Sequence, residues 1–354
     1  MNPDRDAPYL RLDPVILAAN IDRMARSAKA RGLALWPHAK THKSLEVARR
    51  QLDAGAAGLT VATVGEAEVF AALGVPGIFI AYPLWVTQER ARRLRAVAER
   101  TQLRIGVESL PAAEQLAQFK IPADVMIEVD SGHHRSGLTP AAAGELAAQA
   151  GNLGLKVAGV FTFPGHSYAP GQGNGAAGDE AAALTEALAA AKAAGAAADA
   201  VSGGSSPSAA HAQPVLTDIR PGVYVFNDAQ QLELGACAAE DIALSVAATV
   251  VSKSGGRVIL DSGTKTLGAD RPAWTTGYGR LLEYPDARIV AASEHHATVE
   301  LPGPLPALGT RVLVAPNHAC NAVNLHNYYV LSSTGPGTPD PAATMWAVDA
   351  RGMN

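Results

Sequence analysis

The sequence predicts an α/β chain: a (β/α)8 TIM-like barrel followed by a C-terminal antiparallel β domain. Two observations carry this. Over the first two thirds of the chain, short apolar runs alternate about eight times with longer Ala-rich, charged runs. That rhythm argues for a parallel sheet with helical crossovers, and the count suits a barrel of about 250 residues. Near Ile242 it gives way to Val-, Ile- and Thr-rich runs separated by Gly, Pro and Asp, with no convincing amphipathic helix between them. A doubly wound open sheet is the rival. No G-x-G-x-x-G follows the first strand, so its dinucleotide-binding version loses support.

Taken in order, Pro14 to Arg31 reads as a helix, with Pro in its first turn and Gly32 just past its end. Leu33–Trp36 is a short strand, and Ser44 caps a helix through Asp53 that Gly55 ends. Further strands are expected at Gly58–Val61, Ile78–Ala81, Leu103–Val107, Val125–Val129, Val157–Phe163, Ala200–Ser202 and Gly222–Phe226. Helices are expected at Glu66–Leu73, Glu89–Arg100, Pro111–Phe119, Ala141–Ala150 and Glu180–Ala194. The Gly-rich stretch Gly171–Gly178 is expected to be a flexible loop, a lid edge. The β domain should contain strands at Leu244–Val251, Arg257–Leu260, Ile289–Ala292, Thr298–Leu301, Arg311–Ala315 and Tyr328–Leu331. The expected domains are therefore residues 10–241 and 242–354, and residues 1–9 can join either.

Composition narrows the function. The 354 residues are 48% hydrophobic and 18% charged, with mean hydropathy near zero, a globular balance. A net charge of -4 and a pI near 6.2 give no basic stripe for nucleic acid. Two cysteines exclude a disulfide-stapled scaffold. No apolar run reaches the ~18 residues of a membrane span, and the N-terminal MNPDRDAPYL lacks the apolar stretch of a signal peptide. A cytoplasmic location with no membrane or nucleic-acid partner is expected.

In such a barrel, ligands sit where the strands end. Just after the strand runs lie Pro37–Lys43, Asp130–Gly137, Phe163–Tyr168 and Ser202–Ser208, with Arg220–Asp228 at the last run. Lys40 stands at a strand end among histidines, where a lysine of lowered pKa can form a Schiff base. Alone, it reads first as a solvated surface lysine. Gly203, Gly204, Ser205 and Ser206 offer backbone N–H groups and hydroxyls at the usual phosphate position of such barrels. Alone, they are a plain turn. Arg135 can hold a phenolate or carboxylate, or form a rim salt bridge. A phosphate cradle and a strand-end lysine in one barrel point to pyridoxal phosphate.

In the β domain, His318 and Cys320 lie two apart, on one side of an extended segment. Imidazole plus thiolate is a set favoured by zinc, and two ligands leave room for water and substrate. The alternative is a half-buried His beside an inert thiol. Cys237 reads as an ordinary buried cysteine, and His211, His295 and His296 as surface residues.

Three stretches in order resemble signatures of the D-serine dehydratase / D-threonine aldolase family: Pro37–Lys43, Arg220–Phe226 and Pro316–Cys320. These are fold-type III pyridoxal-phosphate enzymes with an alanine-racemase-like barrel and a β domain, and the resemblance runs from about residue 9 to the end. It implies that Lys40 is the lysine that carries the cofactor and acts in catalysis. It places Arg135 near the cofactor's phenolic oxygen, and Gly203, Gly204, Ser205 and Ser206 around its phosphate with Gly222 and Tyr224 close by. His166 matches a catalytic loop residue over the cofactor, and His318 and Cys320 match the metal pair. Dehydratases of the family carry His-x-Cys and use Zn2+, whereas the aldolases more often show His-x-Asp with Mn2+ or Mg2+. Cys320 therefore points to a lyase that converts D-serine or D-threonine to a 2-oxo acid and ammonia. The alternatives are retro-aldol cleavage to glycine and an aldehyde, an amino-acid racemase, and a non-catalytic cofactor carrier. The chain departs from the family in being somewhat short and in carrying Phe163 where relatives often have Tyr or His. A homodimer acting on a small D-amino acid is what the resemblance implies.

Overall fold

The computed structural model describes residues 6–335 and 344–353. The chain divides into two compact units. One comprises Arg23–Lys40, Val47–Gly222 and Met353–Asn354; the other comprises Met1–Asp22, Thr41–Glu46 and Val223–Gly352.

The first unit holds an eight-stranded, all-parallel sheet. Its order is Ala34–Leu35, Asp218–Ile219, Ala200–Gly203, Val157–Phe161, Asp124–Glu128, Gln102–Val107, Gly77–Ile80 and Leu59–Val61. The two ends of this list meet: Ala57 N–H donates to Leu35 O at 2.8 Å, and His38 bridges Thr60 in parallel. The sheet thus curls into the expected barrel. Its strands are buried almost throughout, as a sheet covered on both faces requires. Trp36, Phe79, Met126 and Phe161 form a core cluster, with Phe79 and Phe161 edge to face at 5.0 Å between centroids.

The crossover helices start where local chemistry allows. Thr63 Oγ1 accepts the Glu66 N–H at 3.1 Å to open Val64–Ala71, while Glu66 Oε2 returns to the Ala62 N–H at 2.8 Å. Thr87 opens Gln88–Ala98 in the same way. Ser44 does not cap its helix as expected. Instead the Leu45 N–H donates to Asp349 Oδ2 at 2.7 Å, a cap supplied from the far end of the chain.

Two local readings are corrected in the barrel region. The run Gly222–Phe226 is not a strand: Val223–Val225 form a 3₁₀ turn closed by Phe226 N to Val223 O at 3.0 Å. The last barrel strand is Asp218–Ile219, paired to both neighbours. Strand propensity measures fit to a pleated surface, and here the buried Arg220 and Pro221 end the pleat first. Gly171–Gly178 is not a loop throughout, because the helix Gly173–Ala193 begins inside it. Ala176 and Ala177 are buried there, and that packing outweighs the poor helix propensity of the glycines.

The second unit is built on a nine-stranded sheet. Its spine is Leu244–Ser254, which pairs antiparallel with Tyr9–Leu12 and Arg311–Ala315 through its first half and with Arg257–Leu260 through its second. Ala297–Glu300 and Arg288–Ala292 extend one side, Tyr328–Leu331 and Met345–Ala347 the other, and Arg280–Leu281 flanks Arg311–Ala315. Tyr9–Leu12 and Tyr328–Leu331 run parallel. All six expected strands are present, and Tyr9–Leu12 belongs to this sheet. Against expectation, the unit also contains helices, Thr264–Leu267 and Ala319–Leu325. No described helix is long and apolar enough to cross a membrane.

Candidate active site

In the barrel unit, the polar residues gather at the carboxyl ends of the strands. Lys40 sits in the turn Ala39–Thr41, half-buried, with Nζ 5.8 Å from the Phe163 ring centroid. Arg135 is exposed on the opposite loop and lies 5.2 Å from the same ring. Phe163 therefore has two cations over it, with His133 edge-on at 5.5 Å. The Asp130–Gly137 loop is shaped by Asp130. Its Oδ1 accepts the N–H groups of Gly132 and His134 at 2.9 and 3.0 Å, and its Oδ2 lies 2.7 Å from His134 Nδ1.

His166 lies in the turn Gly165–Tyr168, with Nε2 3.1 Å from Asp179 Oδ2. Its Nδ1 is buried with no hydrogen-bond partner, as is Glu128 Oε2. Glu128 ends the strand Asp124–Glu128, where burial pushes its carboxyl above the usual range against the Ser136 hydroxyl, which donates at 2.7 Å. With His133, Arg135, Ser136 and Phe163 it lines a small polar cavity.

The Gly203–Ser206 loop follows the strand Ala200–Gly203. Gly204 takes φ +79, and a Cβ on it would stand 3.2 Å from Ile219, so only glycine fits without strain. Two of its N–H groups are already engaged, unlike the open cradle expected. Gly204 N–H donates to Glu180 Oε1 at 2.6 Å, and Ser205 N–H to Ser208 Oγ at 3.0 Å. The hydroxyls form a chain, with Ser167, Ser205 and Ser208 at 2.7 and 2.9 Å. Ser206 is half-buried beside them, and Gly222 is half-buried after Pro221.

Arg220 lies below this rim, 5% exposed. It donates to Ser202 Oγ and, at 2.5 Å, to Thr162 O, and its guanidinium lies over Phe79 and Phe161 at 5.4 and 5.3 Å. Asp218, which ends at the same level, accepts from Ser202 Oγ.

In the β unit, Tyr224 is buried in the turn Val223–Val225. His318 and Cys320 are brought together, though not on the extended segment expected. His318 is the N-cap of the helix Ala319–Leu325, in extended conformation, and Cys320 lies in its first turn. Asp228 fixes this start: its Oδ2 accepts the Ala319 N–H at 2.9 Å and its Oδ1 the Gln231 N–H at 2.9 Å. Burial pushes the Asp228 carboxyl up to about 6 against the nearby His318. Asp270 Oδ2 lies 2.6 Å from His318 Nδ1, and Asp270 Oδ1 takes the Asn321 side-chain amide. Burial pulls the His318 pKa down, but Cys320, Asp270 and Asp228 outweigh it and hold it well above the ordinary value. Cys320 Sγ also lies 3.2 Å from Thr41 Oγ1. In the same unit His42 and Lys43 are structural. Tyr329 donates to His42 O, Ser44 N–H to His42 Nδ1 at 3.1 Å, and Lys43 Nζ to Ala350 O.

The residues present fit both groups that the sequence implies. The orphaned buried atoms Glu128 Oε2 and His166 Nδ1, and a loop in which Gly203 and Gly204 leave no room for a Cβ, suit a polar ring with an anionic tail. The His318–Cys320 pair is a nitrogen and sulfur donor set with the second imidazole nitrogen held by a carboxylate, the arrangement of metal-bound histidines. Two such ligands would leave positions for water and substrate.

Sequence reasoning missed Asp270, Glu180, Glu128 and Asp179. Asp270 is 48 residues from His318, and Glu180 lies in an Ala-rich helix; neither carries a spacing signal. Cys237, expected to be buried, is half-buried, while His211, His295 and His296 are exposed as expected.

Comparison with known proteins agrees with this arrangement. Residues 12–230 match the family described as "Alanine racemase, N-terminal domain", and residues 243–332 match the "Putative serine dehydratase domain". The chain is 34% identical to D-threo-3-hydroxyaspartate dehydratase of Delftia sp. strain HT23, over 93% of this chain and 95% of that protein. The solved structure of that dehydratase superposes with a TM-score of 0.88 at 32% identity, covering 98% of both chains. D-threonine aldolase of Arthrobacter sp. is 31% identical over 99% of this chain and 93% of its own length. The chain therefore belongs to the D-serine dehydratase / D-threonine aldolase family of fold-type III pyridoxal-phosphate enzymes and is a pyridoxal-phosphate-dependent lyase.

Proposed function

We propose that this lyase is a dehydratase of D-3-hydroxy amino acids, D-serine and D-threonine among them, that yields a 2-oxo acid and ammonia. The observation that carries this reading is the His318–Cys320 pair with Asp270 on the far imidazole nitrogen. A thiolate beside an oriented imidazole suits Zn2+ better than Mn2+ or Mg2+. The relatives support it. D-threo-3-hydroxyaspartate dehydratase carries its reaction in its name, and one solved variant of it, with a cysteine replaced by alanine, is described as metal-free.

Pyridoxal phosphate, held through Lys40, supplies the electron sink for the bond broken at Cα. Lys40 in its free amine form takes up the Cα proton, a general-base role. Arg135 would serve the phenolic oxygen as a fixed cation. Gly203, Gly204, Ser205 and Ser206, with Gly222 and Tyr224, would seat the phosphate, and His166 would act beside the cofactor. His318 and Cys320 would hold the zinc, which would supply Lewis-acid help to the departing hydroxide. The unsaturated amine then released hydrolyses to the 2-oxo acid and ammonia. The same reading takes the enzyme to be a homodimer, as the family resemblance implies, and cytoplasmic, as the sequence composition suggests.

A second reading is favoured by His166. Its Nε2 is held by Asp179 and its buried Nδ1 is left as an acceptor. A base of that kind could deprotonate a β-hydroxyl and start retro-aldol cleavage, the reaction named for the Arthrobacter relative. Product analysis separates the two. With D-threonine, pyridoxal phosphate and zinc, 2-oxobutanoate and ammonia support the dehydratase, whereas glycine and acetaldehyde overturn it.

A further inference from the structure

We propose that Glu180 is a positioning residue for the cofactor's phosphate: it fixes the backbone of the Gly203–Gly204 turn from beneath and takes up a proton when the cofactor loads. This rests on the reading of the loop as the phosphate seat.

Glu180 comes from the helix Gly173–Ala193 and is 1% exposed. Its Oε1 accepts the Gly204 N–H at 2.6 Å. Its carboxyl also fills the space beside Gly203, where a Cβ would overlap Oε1 and stand 2.7 Å from Cδ. The turn is thus moulded on a buried acid, and the group it is read to hold is an anion.

The charged surroundings do not neutralise that acid. Its helix packs on the strands Val157–Phe161 and Ala200–Gly203 and on the turn Pro140–Ala142, none of which carries a charged side chain. The helix Ala143–Asn152 brings only the exposed Glu145, and the turn Ala209–His211 only the exposed His211. The turn Gly165–Tyr168 brings His166, which pairs with Asp179. On its own helix Asp179 and Glu186 are acids, and Lys192 lies in the last turn, where it pairs with Asp199 at 3.8 Å. Arg220 is the cation that acts on Glu180, and it also faces Asp218 and Glu128. Burial therefore pushes the Glu180 carboxyl up to about 7, against the Gly204 N–H and Arg220. A phosphate placed at the same turn adds a like charge and drives the acid to its neutral form. The proton, taken from solvent, sits on Oε2, and Oε1 still accepts from Gly204. A purely structural glutamate would hold the turn without this exchange.

The test is a titration of the apo-protein with pyridoxal phosphate, followed by cofactor absorbance at about pH 6.5 and about pH 8.5, for the wild type and for Glu180→Gln. Glutamine keeps the acceptor and the shape but cannot titrate. The wild-type affinity should fall about tenfold or more further over this range than that of the variant. Calorimetry of the wild type near neutral pH, in two buffers of different ionisation enthalpy, should show net proton uptake on loading and does not depend on the variant folding. Equal pH slopes in the two proteins, or no proton uptake, would overturn the role of Glu180. A wild type that fails to bind the cofactor at either pH would overturn the phosphate seat itself.

Discussion

Replacing Asp270 probes the metal pair without touching either ligand. The Asp270 carboxylate holds His318 Nδ1 at 2.6 Å through one oxygen and the Asn321 amide through the other. The hydrogen bond from His318 keeps the Asp270 carboxyl below its usual range, against its partial burial, so it stays charged near neutral pH. A charged acceptor at Nδ1 puts the proton there, leaves the Nε2 lone pair for a metal and raises its basicity. Loss of such an outer partner weakens metal binding about 10–100-fold, or ~1.4–2.8 kcal/mol. Asp270→Ala removes both contacts and belongs near the upper figure. Asp270→Asn leaves an amide oxygen that can still accept from Nδ1 but loses the charge, and belongs near the lower one. Zinc competition between the apo-protein and a chromophoric chelator measures this, with circular dichroism to confirm the fold. Wild-type zinc affinity in a folded Asp270→Ala would refute the reasoning.

Other outcomes follow from the same contacts. The His318 pKa lies above its ordinary value in the metal-free protein, so zinc must displace a proton; zinc affinity should rise with pH, by up to about tenfold per unit, until His318 is neutral. Replacing Cys320 by Ala, or chelating the metal, should nearly stop elimination from D-threonine, and a rate close to wild type would sink the metal role. Burial raises the folded Glu180 carboxyl to about 7, well above the ordinary value of an exposed glutamate. Below the unfolded value both states are protonated. As pH rises from there through 7, the unfolded chain ionises first, and the apo-protein should lose about 3 kcal/mol from this group. Melting curves of the apo-protein across that window, wild type against Glu180→Gln, read the effect as a steeper loss in the wild type. The fully buried Tyr329 donates to His42 O, so Tyr329→Phe should cost about 1–3 kcal/mol by removing that buried hydrogen bond, and a denaturant titration would register it as a lower midpoint at unchanged slope.

The parts of the molecule legible in the sequence are those whose local pattern and burial agree. Arg257–Leu260, Arg311–Ala315 and Tyr328–Leu331 match the structure end to end, because each is a short run of Val, Ile, Leu or Tyr, buried continuously from Val312 to Ala315 and at alternate positions in the other two. Asp218–Ile219 was not legible: a two-residue strand has no period, and the Val-rich run just beyond it reads more strongly. Gly173–Ala193 begins earlier than its glycines suggest because burial of Ala176 and Ala177 decides the matter. In the candidate site, Lys40, His318 and Cys320 are singled out by short motifs. Asp270 and Glu180 are not, because each acts across a fold contact that the chain order does not record.

The assignment of Lys40 as the cofactor lysine is the central claim, and reductive trapping tests it most directly. The loaded enzyme is treated with borohydride, digested and mapped by mass spectrometry. Lys43 is an internal control three residues away, buried, with its Nζ donating to Ala350 O. The account predicts the reduced cofactor on Lys40 alone. Label on Lys43, or on a lysine outside the strand-end turn Ala39–Thr41, would contradict it.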